Sequence, residues 1–211
     1  MTELAHATQS RTTPGATTPG ATTPGATTPG GTTLSWATLS SPVGPLAVGC
    51  SPAGVARVDF RTPGGPGRRE DEPGAGQASP GMLSAARDQL AEYFAGQRQV
   101  FDLPLDWSGC SRAQHRVLSV LYDSAGYGET LTYGELAQRA VAGPDGISLP
   151  ARAIGRIMGS NPLPLIVPCH RVVAGNGLGG YSGGTGIEIK RWLLIFEGAL
   201  PATMDWDVAG V

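Results

Sequence analysis

The adjacent residues Cys169 and His170 are the part of the sequence best suited to covalent chemistry. A thiol reacts as the thiolate, and a nearby imidazole can accept its proton. Because consecutive side chains of an extended backbone point to opposite faces, we expect a bridging water molecule to relay the proton. Glu197 is the candidate carboxylate for the far nitrogen of His170, as in other sets of nucleophile, base and orienting acid. Such a pair also occurs as buried structure, so it does not by itself establish catalysis.

The residues on either side of this pair have unusual compositions. Pro162, Pro164 and Pro168 precede it, and proline holds the residue before it extended, which predicts a stiff apolar strand that presents Cys169. After the pair, residues 175–186 include seven Gly in twelve positions. Glycine lets a backbone approach a flat ligand closely, so we expect a glycine-rich hairpin or wing there.

Helices must hold these residues in place. Apolar spacing and cap residues predict helices over 111–122, 133–141, 150–159 and 187–196. Thr132 and Glu135 form a predicted capping box at the second of these. The second and third are close enough in the chain to form a helix-turn-helix, with Arg152 and Arg156 on one helix face.

The charge pattern in this region predicts a contact with phosphates. Residues 146–187 contain no Asp or Glu, but they include Arg152, Arg156, His170 and Arg171. We therefore expect a local cationic surface. The whole chain has a net charge of −2, so any nucleic-acid site must be local.

The first half of the chain predicts a β meander followed by a helix. Short apolar runs indicate strands over 34–40, 45–50 and 55–60, and one apolar stripe indicates a helix over 82–95. The expected fold is α+β, with an N-terminal domain over 34–104 and a helical domain over 105–211. Residues 1–33, with four tandem TTPGA-like repeats, cannot build a core, so we expect a disordered tail. The Gly/Pro-rich segment 62–81 is expected to be a flexible surface loop within the first domain.

Composition excludes several classes of protein. No run of about 18 apolar residues is present, and the N-terminus has no apolar signal region, so we expect no membrane span and a cytoplasmic location. Three Cys in 211 residues do not make a disulfide scaffold. Cys50 and Cys110 are expected to be ordinary free thiols.

Seven segments, in order, resemble one family, the methylated-DNA–protein-cysteine methyltransferases or O6-alkylguanine-DNA alkyltransferases. The similarity is strong over about 111–198 and extends weakly to 39–60. The segments are YGET at 127–130, TYGELA at 132–137, ARAIG at 151–155, NP at 161–162, VPCHRVV at 167–173, GYSGG at 180–184, and KRWLL at 190–194 with EG at 197–198.

The resemblance implies a ribonuclease H-like N-terminal domain, a winged helix-turn-helix and a single-turnover reaction. The protein would flip O6-alkylguanine, and also O4-alkylthymine, out of duplex DNA and transfer the alkyl group to Cys169 irreversibly. His170 would be the water-linked base, Glu197 the acid that polarises it, and Asn161 the brace of the Cys loop. Tyr133 would crowd the target phosphate and donate a proton to the leaving guanine.

The resemblance also implies the DNA contacts. Arg152 would fill the gap left by the flipped base, and Tyr181 and Ser182 would form the edge of the base pocket. Tyr133, Gly134, Arg156 and Arg171 complete the expected contact set. The expected partner is double-stranded DNA containing O6-alkylguanine, and the protein is expected to be monomeric and associated with the nucleoid.

No metal or cofactor is expected, and two other functions remain as alternatives. Cys50 matches one zinc-ligand position of some relatives, but the sequence shows no companion Cys or His for it. One alternative is a lesion-sensing protein that flips alkylated guanine without transfer; Cys169 argues against it. The other is a cysteine hydrolase, which requires an oxyanion hole and a direct Cys–His contact that adjacent residues disfavour.

Overall fold

The computed structural model describes residues 34–60, 78–142 and 146–202. The predicted tail 1–33 and residues 62–77 of the predicted loop lie outside this range. The first part is a three-stranded antiparallel sheet in the order β1-β2-β3, and the register pairs Val48 of β2 with Val58 of β3. The strands are β1 Ser35–Leu39, β2 Leu46–Ser51 and β3 Gly54–Phe60.

A single helix, α1 (Pro80–Phe94), packs on this sheet. Ser79 caps it by accepting a hydrogen bond from the Met82 N–H, and Pro80 occupies the first turn, where its missing N–H costs no helical bond. Its buried side chains are Ala86, Leu90 and Tyr93. Tyr93 is therefore the most C-terminal buried residue of this helix and reaches towards the second half of the chain.

The second half is mainly helical, as predicted. The bounds of the predicted helices, and of the three strands predicted in the first half, agree with the structure to within two residues. The elements are α2 Arg112–Ser124, β4 Leu131–Thr132, α3 Tyr133–Val141, α4 Ala151–Gly159, a 3-10 helix Cys169–Arg171, β5 Val172–Val173 and α5 Ile187–Phe196.

Two helices begin with complete capping boxes. The predicted box is present at α3, where Thr132 accepts from the Glu135 N–H and the Glu135 side chain accepts from the Thr132 N–H. A second box, which the sequence analysis missed, is formed by Ser111 and Gln114 at α2. These local bonds explain why the helix starts are predictable from sequence.

The prediction of a strand before Cys169 is wrong. Residues 161–168 form turns: the Val167 N–H donates to the Leu163 carbonyl at 2.8 Å, and Leu165 has a φ of 73°. Proline cannot donate a backbone hydrogen bond, so three prolines in this segment weaken any pairing with a neighbouring strand. The predicted wing is a narrow reversal in which Ala174 and Gly177 pair, followed by irregular chain.

The two halves share one hydrophobic core. Val55 of β3 pairs with Leu105, and the Val58 N–H donates to the Pro162 carbonyl at 2.8 Å. The sheet therefore lies directly against the turns that precede Cys169. Within the described ranges, no helix is long and apolar enough to cross a membrane.

Candidate active site

Cys169 lies at the start of the 3-10 helix, immediately after a tight turn at Pro168. Its N–H donates to the Val167 carbonyl at 2.8 Å across this turn. The Asn161 side chain closes the preceding loop: its Nδ2 donates to the Val167 carbonyl at 2.8 Å, and its Oδ1 accepts from the Leu163 N–H at 3.0 Å. Asn161 thus sets the path of the chain that carries the thiol.

The Cys169 thiol is only 6% exposed, and burial raises its pKa. The Asn161 amide, the Lys190 ammonium and the Tyr181 hydroxyl oppose this effect by favouring the thiolate. Because burial prevails, the resting group is the thiol. Any reaction at sulfur therefore requires a base to remove its proton.

His170 and Glu197 provide this base and its partner. Nε2 of His170 lies 3.0 Å from Oε1 of Glu197, and both side chains are fully buried. Burial lowers the pKa of His170, so the imidazole is neutral. Burial alone would raise the pKa of Glu197, but hydrogen bonds from His170 and Arg171 hold it well below its usual range.

These protonation states determine the tautomer of His170. The ionised Glu197 can only accept hydrogen bonds, so Nε2 carries the proton and Nδ1 keeps its lone pair. Nδ1 is buried and has no hydrogen-bond partner among the residues that the structure describes. The sequence analysis expected the Cys169 and His170 side chains to diverge because it assumed an extended backbone. They diverge in the structure because a 3-10 helix turns about 120° per residue.

The prediction that Arg171 belongs to the DNA-binding surface is wrong. It is 5% exposed, its Nε and Nη2 donate to the two oxygens of Glu197 at 2.8 and 2.9 Å, and its Nη1 donates to the Ala125 carbonyl at 2.6 Å. A guanidinium paired in this way cannot meet phosphates. His170 is also buried, so the expected cationic surface is reduced here to Arg152 and Arg156, both exposed on α4.

Lys190 is a site residue that the sequence analysis did not single out. It is fully buried on α5, and its Nζ donates to the Val172 and Gly180 carbonyls at 2.6 and 3.2 Å. Burial lowers its pKa to about 8. The signal was present in the sequence, since Lys190 is the sole lysine of the chain and lies in one of the family-like segments.

Tyr133 lies beside Lys190 at the start of α3. The Lys190 Nζ is 5.9 Å from the centroid of the Tyr133 ring, and the Tyr133 hydroxyl donates to the Gly180 carbonyl at 3.3 Å. Burial, followed by the charge of Cys169, raises the pKa of Tyr133. The phenol is therefore protonated and lies within the electrostatic reach of the thiol.

A cavity of about 220 Å³ opens next to Cys169. Its wall includes the end of β3, a contribution that sequence reasoning missed because 109 positions separate Phe60 from Cys169. The Phe60 and Tyr181 rings meet edge to face with centroids 6.4 Å apart. The lining residues are Val58, Asp59, Phe60, Met158, Gly159, Asn161, Pro164, Cys169, Tyr181, Ser182, Gly183 and Gly184.

The glycine-rich segment forms one lip of this cavity. A Cβ on Gly183 would lie 2.6 Å from the Tyr181 ring and 2.9 Å from the Phe60 ring, so a larger residue would displace one of them. The exposed Ser182 donates its hydroxyl to the Gly159 carbonyl at 2.9 Å, which ties the lip to the end of α4. Burial and the neighbouring Cys169 raise the pKa of Tyr181 well above its ordinary value.

Matches to known sequence families cover both halves of this structure. Residues 34–107 match the ribonuclease-like domain of 6-O-methylguanine DNA methyltransferase, and residues 112–199 match its DNA binding domain. The chain belongs to the 6-O-methylguanine DNA methyltransferase family. This assignment confirms the predicted family and the α+β fold of a small sheet domain followed by a helical domain.

Individual members of the methyltransferase family agree with this assignment. A methylated-DNA–protein-cysteine methyltransferase of Methanosarcina acetivorans is 36% identical over 161 residues, covering 75% of this chain and 95% of the relative. A DNA base-flipping protein of Thermus thermophilus is 38% identical over 166 residues, which cover 76% of this chain and 97% of the relative. The crystal structure of Mycobacterium tuberculosis OGT in complex with DNA has a TM-score of 0.60 and 37% identity, covering 77% of this chain and 92% of that chain.

The structure brings together most of the residues that the methyltransferase resemblance singled out. Asn161, Cys169 and Tyr181 line the cavity, and His170 and Glu197 lie behind Cys169. Arg152, Arg156 and Gly134 are exposed on the two helices of the helix-turn-helix. Among the described residues, no cluster of three or more His, Cys, Asp or Glu side chains could hold a metal ion.

Proposed function

We propose that this protein repairs DNA by transferring the alkyl group of O6-alkylguanine, and of O4-alkylthymine, to the sulfur of its own Cys169. The observation that carries the proposal is a buried thiol at the wall of a cavity, followed in the chain by a neutral imidazole whose buried Nδ1 has no partner among the described residues. The thioether product is stable, so each molecule acts once. No cofactor takes part.

His170 activates the thiol in this mechanism. A water molecule passes the proton of Cys169 to Nδ1, while Glu197 stabilises the resulting imidazolium through Nε2. The thiolate then attacks the alkyl carbon: the carbon–sulfur bond forms, the carbon–oxygen bond breaks, and the electron pair passes to the guanine. Tyr133 gives its phenolic proton to the leaving guanine, and the nearby Lys190 ammonium offsets the phenolate charge.

The substrate base must leave the duplex because the O6 alkyl carbon is otherwise inaccessible. The proposed partner is double-stranded DNA that contains the lesion. Arg152 fills the gap in the stack, and Arg156 and the exposed N-terminus of α3 at Gly134 contact phosphates. The protein acts as a monomer in the cytoplasm, at the nucleoid.

The test is intact-mass and peptide analysis after incubation with duplex DNA containing O6-methylguanine. The wild-type protein should gain the mass of one methylene group on the peptide that contains Cys169. Cys169→Ala should bind the same DNA without any gain in mass. Cys110→Ala should react like wild type, because Cys110 is half-buried and lines a different cavity. An adduct on Cys50 or Cys110, or binding without an adduct, would contradict the proposal; the second result would favour lesion sensing.

A further inference from the structure

Tyr93 joins the N-terminal half of the protein to the buried acid of the site. Its hydroxyl donates to Oε1 of Glu197 at 2.7 Å, although 104 positions separate the two residues in sequence. The Tyr93 side chain is fully buried at the end of α1. Oε1 is also the oxygen that accepts from Nε2 of His170, so Tyr93 and the imidazole share one acceptor atom.

Packing alone does not account for the Tyr93 hydroxyl. The ring lies among other aromatic rings, with centroid distances of 5.6 Å to Phe101 and 5.6 Å to Phe196. A phenylalanine would make the same ring contacts without burying a polar group. Burial, and then the negative charge of Glu197, raise the pKa of Tyr93 well above its ordinary value, so the phenol remains a donor at every working pH.

Tyr93 provides one of the four hydrogen bonds that the Glu197 carboxylate accepts. Oε2 accepts from Nε of Arg171, and Oε1 accepts from Nη2 of Arg171, from His170 and from Tyr93. Hydrogen bonds to a charged group fix its orientation and share its negative charge. A donor on Oε1 therefore reduces the charge that this oxygen can offer to the imidazolium of His170.

We propose that Tyr93 is a positioning residue for alkyl transfer, which holds Glu197 in place and, through it, sets the basicity of His170. The inference rests on the proposed function, because His170 is the base of that reaction. It also gives the N-terminal half a role in the chemistry at Cys169. Tyr93 itself does not line the cavity.

The groups around the imidazole determine whether the pKa of His170 rises or falls when the Tyr93 hydroxyl is removed. Glu197 favours its protonated form, whereas Arg171 and Lys190 oppose it. Removing the Tyr93 hydroxyl leaves more charge on Oε1, so Glu197 attracts the imidazolium more strongly and the pKa of His170 rises. The other titratable groups that face this network are Cys169, Tyr127 and Tyr181. They remain unchanged in the variant.

The experiment compares Tyr93→Phe with wild type by single-turnover alkyl transfer across pH and by NMR titration of the His170 ring. We expect the rate constant at the plateau to fall by roughly tenfold, because a hydrogen bond to a charged group is lost. The acid limb of the pH–rate profile and the NMR pKa of His170 should both move to higher pH by roughly one unit. Affinity for lesion DNA should not change.

Tyr122→Phe is the matched control. Its hydroxyl donates to the neutral Phe101 carbonyl at 3.1 Å and does not contact Glu197, so its loss should leave the profile and the His170 titration in place. A slower Tyr93→Phe reaction with an unmoved acid limb would reduce Tyr93 to a packing role and overturn the inference. An unchanged rate and titration would overturn it as well.

A second variant keeps the test valid if Tyr93→Phe does not fold. 3-Fluorotyrosine at position 93 preserves the ring shape and makes the hydroxyl a stronger donor, so the pKa of His170 should fall instead of rise. The NMR arm needs no alkyl transfer. If wild-type protein forms no adduct at Cys169, the proposed function fails, while the titration still decides whether Tyr93 controls His170.

Discussion

Buried charge is the main feature of this site at the scale of single residues. Glu197, His170 and Arg171 lie together out of water, with Tyr93 as an added donor. Removing charges from water is costly, and the cost is offset only when every oxygen and N–H finds a partner. The loss of Glu197 would therefore leave the Arg171 guanidinium buried without its carboxylate.

Glu197→Gln should reveal this dependence through the free energy of unfolding. The variant leaves the Arg171 charge without its carboxylate, so the loss at neutral pH should be about 3–5 kcal/mol. The pKa of Glu197 is lowered from 4.5 in the folded protein, so its contribution is complete above pH 4.5 and is lost as the pH falls below it. Urea unfolding at a series of pH values should therefore show the difference between wild type and variant shrinking in acid.

Glu92→Gln provides the control for this measurement. Glu92 pairs with Arg98 at 2.6 Å, but its side chain is 43% exposed, so its removal should change stability by less than about 1 kcal/mol. A difference between wild type and Glu197→Gln that stays constant from neutral pH into strong acid would contradict a buried, ionised Glu197.

Helix α4 is the element that the proposed DNA contact depends on. Ile154, Ile157 and Met158 face the core, and Arg152 and Arg156 are exposed. Gly155 lies between them, and apart from the neighbouring residues and backbone of its own helix, no atom of the described residues lies within 4 Å of the position that its Cβ would take. Glycine inside a helix costs about 1 kcal/mol relative to alanine. Since the described packing does not require a glycine here, we propose that Gly155 allows DNA to approach the helix closely.

Gly155→Ala should therefore separate stability from binding. The variant should unfold at a higher urea concentration, with a gain of up to about 1 kcal/mol, because alanine favours the helix. Its affinity for lesion DNA, measured by fluorescence anisotropy, should fall by roughly tenfold, equivalent to about 1.4 kcal/mol. Gly81→Ala in α1, where a Cβ also meets nothing within 4 Å, should leave DNA affinity unchanged. Equal affinities for Gly155→Ala and wild type would contradict the close approach.

Local sequence signals make most helices and strands predictable. The lack of such a signal explains why the strand predicted before Cys169 is wrong. The helix starts at α3 and α4 follow from Thr132 and from Pro150, whose effects act within one turn of the chain. The turns at 161–168 depend on the Asn161 side chain bonding across six positions to Val167. A pattern of prolines cannot reveal that bond, so the segment was predicted as a strand.

The two halves act as one body at the scale of the whole molecule. We propose a boundary between the two halves near residue 104, with domains over 34–104 and 105–211. The two domains are not independent, because one hydrophobic cluster includes residues from both. The Val55–Leu105 pairing and the Tyr93–Glu197 bond cross the boundary. Unfolding of the sheet should therefore expose the core of the helical half.

Differential scanning calorimetry should show a single transition whose calorimetric and van't Hoff enthalpies agree. Val48→Ala, in the fully buried strand β2, removes about 2 kcal/mol of packing and should lower the midpoint of that one transition by roughly 5 °C. Two resolved transitions, with only the first sensitive to Val48→Ala, would show instead that the halves unfold independently.

The sequence by itself determined the family, the order of the elements and the reactive pair. These features depend on residues that are close together in the chain: the capping residues, the apolar periodicity, and the adjacent Cys169 and His170. Local interactions are sufficient to form them, so they can be predicted without the tertiary structure. His170 with Glu197 was also inferred, because few carboxylates remained in the second half.

Only the tertiary structure decided which charges are buried and which surfaces meet. Arg171 and Arg152 look alike in sequence, yet one is enclosed with Glu197 and the other is exposed on α4. Tyr93 and Phe60 reach the site from the N-terminal half across distances that no local pattern encodes. Burial and long-range contact arise when elements pack, because the solvation of each group depends on everything packed around it.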